Sequence, residues 1–314
     1  MIVDAADRYR GALLGLAAGD ALGTTLEFKP PGTFEPIDDM VGGGPFALPP
    51  GYWTDDTSMA LCLAESLIER GTFDPADQMS RYARWMQEGY LSSNGACFDI
   101  GITTSGAIHR FLRTGEPLDR DPDPHSQANG SLMRLAPVPL FYATDFERAI
   151  DMSGESSRTT HGSAACVDAC RYYGGLIAAA VRGESKQLLL SSGFHPGGGS
   201  WGGAHPDVAA VAAGSFKEKS PPQIRGTGHV IRAMEAALWA FANSGNFRDG
   251  CLLVVNLGDD ADTTGAIYGQ LAGAHYGERG IPAEWLRILA QRELITRLAD
   301  RLLERSGNHE RQNV

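Results

Sequence analysis

The chain has 314 residues, 43% of them apolar and 21% charged, with a formal net charge of −11. That length supports a sizeable core, and the acidic balance excludes a nucleic-acid polyanion as the main partner. Met1-Ile2-Val3-Asp4 does not open a secretory leader, and no apolar run reaches the ~18 residues that a membrane span needs. Five cysteines without a CxxC pair read as reduced thiols of a cytoplasmic protein; Cys166 and Cys170, on one helix face, read as core thiols.

In chain order, residues 7–22 read as a helix crowded with Gly and Ala, built to approach a neighbour closely. Asp20, near its end, reads as a cap or ion-pair partner, and Glu27 follows in an irregular segment. Residues 29–52 are rich in Gly and Pro and form a long loop, a candidate lid. Helices are predicted over 57–70, 75–88 and 103–113. Between the last two, Asp99 lies between Phe98 and Ile100, which makes it a buried cap or an acid with a tuned pKa. Residues 116–128 are Pro/Asp-rich and exposed. Asn129-Gly130-Ser131 is predicted to open a helix. Its free N–H groups suit a pyrophosphate or carboxylate; a plain Ser cap fits equally well.

Helices follow over 145–156 and 163–181. His161, at a helix start, would stay neutral under the dipole and could bond a sugar hydroxyl, but a lone His is more often structural and its own segment does not single it out. Residues 191–206 carry Trp201 among glycines, as a plain loop or a flap with a stacking group. Residues 227–242 and 264–276 are helical, the latter again rich in Gly and Ala; 247–255 are helix or strand. A helix over 283–305 closes one domain, residues 1–305, before a polar tail, 306–314. No alternating strand pattern, repeat, GxGxxG or phosphate-loop motif is present, so the class is all-α.

Two segments carry the chemistry. Asp259-Asp260-Ala261-Asp262-Thr263-Thr264-Gly265 packs three carboxylates into four positions, and Trp53-Thr54-Asp55-Asp56-Thr57 repeats the pattern. Buried together, such groups need a cation or must take up protons. Oxygen-only ligands suit Mg²⁺ or Mn²⁺ rather than zinc. Taken singly, each segment is equally an acidic helix N-terminus. Brought face to face, they supply enough oxygens for a two-metal site.

The motifs Gly15-Leu16-Ala17-Ala18-Gly19-Asp20-Ala21-Leu22-Gly23, Glu27, Trp53 to Thr57, Asn129 to Arg134, Thr160-His161 and Gly258 to Ala266 occur in that order. Over residues 8 to 277 the chain thereby resembles the ADP-ribosylglycohydrolase family, including the dinitrogenase reductase-activating glycohydrolases of bacteria. The resemblance implies a single helical domain with a binuclear cleft holding two Mg²⁺ or Mn²⁺. It implies metal ligands at Thr54, Asp55, Asp56, Asp260, Asp262 and Thr263; it assigns no ligand role to Asp259, which stays a supporting or capping residue. It implies catalytic acids at Asp99 and Glu27, a diphosphate cradle at Asn129, Gly130 and Ser131, and a ribose-facing His161. The expected activity is hydrolysis of ADP-ribose from protein arginine, by a monomer. Serine-linked, polymeric or small-molecule ADP-ribose, or binding without catalysis, are the alternatives.

Overall fold

Residues 3–203 and 205–312 are described by a computed structural model, and every regular helix or strand element among them is helical. Helix α1 (Ala5–Gly23) passes through a 3-10 turn, Thr24–Leu26, into the long loop before α2 (Asp55–Arg70). Helices α3 (Pro75–Glu88), α4 (Ile102–Thr114), α5 (Pro137–Phe141), α6 (Phe146–Ser157) and α7 (Ala164–Val181) follow. The rest comprises α8 (Lys186–Leu189), α9 (Pro206–Ala212), α10 (Val230–Ala242), α11 (Phe247–Val255), α12 (Ala261–Tyr276), α13 (Ala283–Ile288) and α14 (Arg292–Gln312). No helix among the described residues is long and apolar enough to cross a membrane.

The two helices rich in Gly and Ala, α1 and α12, form the centre, antiparallel and backbone to backbone. A Cβ on Gly19 would stand 2.0 Å from the carbonyl oxygen of Gly265, and one on Gly269 would stand 2.0 Å from that of Gly15. Similar contacts join Gly11 to Gly273 and Gly23 to Ala261. A methyl group at these positions forces the helices apart. Because the pair is antiparallel, the end of α1 lies beside the start of α12. The register therefore sets Asp20 and Glu27 against Asp260 and Asp262.

Three departures from the periodicity have visible causes. Residues 129–134 form a turn, not a helix start. The N–H groups of Leu132 and Met133 both donate to the Asn129 carbonyl (2.8 and 3.1 Å), while the Asn129 N–H is drawn to Gly228 O (3.1 Å). The predicted helix over 283–305 is broken at Leu289–Gln291. There Ala290 N donates to Gly51 O at 2.9 Å, and the Trp53 indole donates to Ala290 O at 3.0 Å. Finally, α14 runs past Ser306 to Gln312; Ser306 is buried, and the Tyr9 hydroxyl donates to it at 3.0 Å. Residues 313 and 314 of the expected tail lie outside the described residues.

Candidate metal and substrate site

The acidic segments lie at the starts of α2 and α12, and the N-cap residue of neither helix makes a side-chain cap bond. Thr54, the N-cap of α2, makes no side-chain cap bond. Instead Asp20 reaches over from α1 and accepts from Thr54 N (2.8 Å), Thr54 Oγ1 (3.0 Å), Thr57 N (3.1 Å) and Thr57 Oγ1 (2.6 Å). Asp260, the N-cap of α12, likewise makes no side-chain cap bond. Glu27 serves that end, accepting from Ala261 N at 2.9 Å and Asp262 N at 3.4 Å. The capping explanation covers Asp262, whose Oδ1 accepts from Thr263 N at 2.7 Å, but not Asp260, which makes no side-chain cap bond, or Asp56, whose Oδ1 has no hydrogen-bond partner. Asp20 and Glu27 serve the helix ends from other elements, and the carboxylates of Asp56 and Asp260 are left for another use.

Their packing says what that use is. Asp20, Asp56 and Asp262 offer carboxylate oxygens within 4.8 Å of one another, and so do Glu27, Asp260 and Asp262. Asp262 belongs to both groups. Asp56 Oδ1 is buried without a hydrogen-bond partner, and Thr54 Oγ1 bridges Asp56 (3.1 Å) and Asp262 (3.4 Å). Burial, then the neighbouring carboxylates, raises Asp55 and Asp56 well above the usual range. Burial, then Asp262, raises Glu27, Asp20 and Asp260 too. Anionic oxygens so placed, with an orphaned one among them, fit hard divalent cations.

These groups open on a cavity of about 910 Å³, lined by Glu27, Asp55, Asp99, Asn129, Gly130 and His161 among others. Asp99 holds a left-handed backbone, φ +60°, and burial, reinforced by Asp262 and Asp55, pushes its carboxyl up to about 11. Asn129 donates from Nδ2 to Asp260 at 2.7 Å, joining the turn to the acidic centre. Gly130 faces the His161 ring so closely that a Cβ would lie 2.8 Å from Cε1. His161 is buried and its pKa falls to about 3. The cause is burial, then Arg134, rather than the helix dipole expected from sequence. Asp259 also lines the cavity but belongs to neither carboxylate group and pairs with Arg225 at 2.8 Å.

The structure thus gathers Glu27, Asp55, Asp56, Asp99, Asn129, Gly130, His161, Asp260, Asp262 and Thr263 around one cleft, with Thr54 buried just behind. Ser131 is not at the cavity wall; its hydroxyl receives bonds from Ser157 Oγ (2.8 Å) and Cys170 Sγ (3.4 Å) in the core. Trp201 is not at the wall either and rests against Tyr172 and His195, with ring centroids 5.2 and 5.9 Å away. Sequence reasoning missed Asp20 as a member of the acidic centre. The available signal was its place in a helix too rich in small residues to leave an acid exposed.

An all-helical fold whose first and last thirds pool carboxylates beside one cleft, in groups that could hold a metal ion, defines the class of this protein. The sequence matches the ADP-ribosylglycohydrolase family over residues 1–312, and the chain belongs to that family. It is 44% identical over 302 residues to a Pseudomonas putida protein named ADP-ribosylarginine hydrolase Tri1, covering 96% of this chain and 79% of the relative. It is 33% identical over 322 residues to the ADP-ribosyl-dinitrogen reductase glycohydrolase of Rhodospirillum rubrum, covering 96% and 97%. A solved ADP-ribosylglycohydrolase-related protein complex superposes with a TM-score of 0.85 at 44% identity, covering 97% of this chain and 100% of that one.

Proposed function

We propose that this chain is a metal-dependent hydrolase that removes ADP-ribose from arginine side chains of modified proteins, acting as a cytoplasmic monomer. One observation carries the linkage: the 44% identity, over 96% of the chain, to a protein named for hydrolysing ADP-ribosylarginine. The bond broken joins C1″ of the distal ribose to a guanidinium nitrogen.

Two cations, Mg²⁺ or Mn²⁺, suit the two carboxylate groups that share Asp262. Thr54, Asp55, Asp56, Asp260, Asp262 and Thr263 would hold them, with Asp20 and Glu27 belonging to the same carboxylate groups. Bound cations neutralise the cluster, orient the ribose hydroxyls and lower the pKa of a water.

The chain's own residues do the remaining work. Asp99, whose carboxyl pKa is raised first by burial, would give its proton to the departing guanidine nitrogen as the C1″–N bond breaks. The water oxygen bonds to C1″, and the water proton returns to the Asp99 carboxylate. Ionised carboxylates beside C1″ stabilise its cation-like transition state. Glu27 aligns the start of α12 through its bonds to Ala261 and Asp262. Thr160 accepts from Arg134 and donates to His161 Nδ1 (2.8 Å), which leaves Nε2–H to face the ligand. Asn129 and Gly130 form the wall for the diphosphate, and Ser131 holds their turn in place from behind.

The test is ADP-ribose release from ADP-ribosyl-arginine and ADP-ribosyl-serine proteins, each with Mg²⁺, Mn²⁺ or EDTA. Release from arginine, abolished by EDTA, supports the reading. Release from serine alone overturns the substrate, and release that survives EDTA overturns the metal.

A further inference from the structure

Among the described residues, the two most exposed large apolar side chains are Ile102 (94%) and Phe28 (64%), and both line the carboxylate cavity. Scattered apolar residues on a surface need no explanation, but two at the mouth of one cleft do. Phe28 is also not on a slack loop. Its N–H donates to Asp259 O at 2.7 Å, and Asp259 N donates to Lys29 O at 2.8 Å. This pairing fixes Phe28 at φ +61°, a conformation that a bulky side chain adopts only when its surroundings dictate it.

The rings form a row. Phe28 meets Phe46 edge-on with centroids 6.4 Å apart, and Phe46 meets Phe98 at 5.3 Å. Phe28 follows Glu27 and Phe98 precedes Asp99. The row therefore runs across the mouth from one cavity acid to the other, and Ile102 stands at the same opening, at the start of α4.

We infer that this aromatic row and Ile102 seat the polypeptide on either side of the modified arginine, so that the enzyme reads the protein half of its substrate as well as the nucleotide half. The inference rests on the function proposed above. A protein-borne ADP-ribosyl-arginine that places its ribose over the carboxylates must leave its main chain outside the mouth, where these side chains project. Exposed ring faces suit apolar and cationic flanking residues, and the net charge of −11 favours a basic target segment.

The experiment measures kcat/KM for the wild type, Phe28→Ala and Ile102→Ala on two substrates of one linkage, an ADP-ribosyl-arginine protein and free ADP-ribosyl-arginine. Both side chains are exposed, and melting curves verify that each variant is folded. The expected result is a fall of about fivefold or more in the protein-to-free ratio for each variant, chiefly through KM for the protein, the size of a single interface contact. A smaller change in the ratio, in variants that still turn over the free compound, overturns the inference and leaves the proposed function intact. A wild type inert on both substrates overturns the proposed function and this inference with it. A concentration-dependent dimer that Phe28→Ala dissociates reassigns the row to self-association.

Discussion

The guanidinium of Arg134 donates to the carbonyl of Gly130 at 3.1 Å, from a position with 1% of its surface exposed. It also donates to Thr160 Oγ1 at 2.7 Å and lies 4.6 Å from the centroid of the Tyr82 ring. No carboxylate pairs with it among the described residues. A buried cation held by one carbonyl, threonine hydroxyls and a ring thus ties Gly130 to Thr160, on either side of the proposed diphosphate site. Arg134→Met removes bonds worth about 1–3 kcal/mol where a partner is left unsatisfied, but it also removes an uncompensated buried charge. These effects offset, so the expected stability change is below about 2 kcal/mol in urea unfolding. Affinity for ADP-ribose, by calorimetry, is expected to fall more than about tenfold, near the ~1.4 kcal/mol that one such contact represents.

Carboxylate repulsion gives Asp262→Asn two opposite signs. Without divalent cations the variant relieves a charge shared by both acidic groups, and its melting temperature should rise above that of the wild type. With Mg²⁺ or Mn²⁺ at a hundred times the dissociation constant, the wild type gains about 2.7 kcal/mol. The variant should gain little. Thermal melts with and without EDTA check both; a variant that is stabilised by cation as strongly as the wild type removes Asp262 from the ligand set.

Asp99→Asn separates proton delivery from metal binding. Loss of a positioned general acid lowers kcat by about 10² to 10⁴. The cation-dependent melting shift should persist. If that shift vanishes along with turnover, Asp99 is a ligand and the proton comes from elsewhere.

His161 carries a pH signature. Its folded pKa lies near 3, against about 6.5 for an unperturbed imidazole, so below pH 6.5 the unfolded chain binds the proton that the folded chain refuses. Stability from this group is therefore whole above pH 6.5 and is lost as pH falls toward 3. The slope approaches about 1.4 kcal/mol per pH unit at full development. Urea midpoints of the wild type and His161→Asn between pH 7 and pH 5 isolate the effect: the difference between them should shrink as the solution is acidified.

Much of the centre was legible because its signals are local. Asp55-Asp56 and Asp260-Ala261-Asp262 each crowd acids into a helix start, and the small residues of α1 and α12 announce a close contact. What sequence hid is what distance in space decides. Asp20 reads as a cap of its own surroundings, yet it caps α2 from another helix. Arg134 reads only as part of a motif, with nothing in its own segment to show that it is buried under Gly130 and Thr160. The turn at 129–134 carries a helical pattern that its bond to Gly228 overrides, and the periodicity of 283–305 runs on through a break made by Gly51 and Trp53. In each case a tertiary partner outweighs a propensity of a few tenths of a kcal/mol per residue.

The pairing of α1 with α12 also fixes when the centre can exist during synthesis. The ribosome releases α1 first, but the helix that covers its glycine face is made only after most of the chain has emerged. Until then Asp20, Asp55 and Asp56 have no Asp260 or Asp262 opposite them, and the closing contact is of the long-range kind that forms slowly. A chain that stops before Ala261 has no partial centre to fall back on. The assembled acidic centre is in this sense a certificate of completion, issued only to a polypeptide whose first helix has met its twelfth.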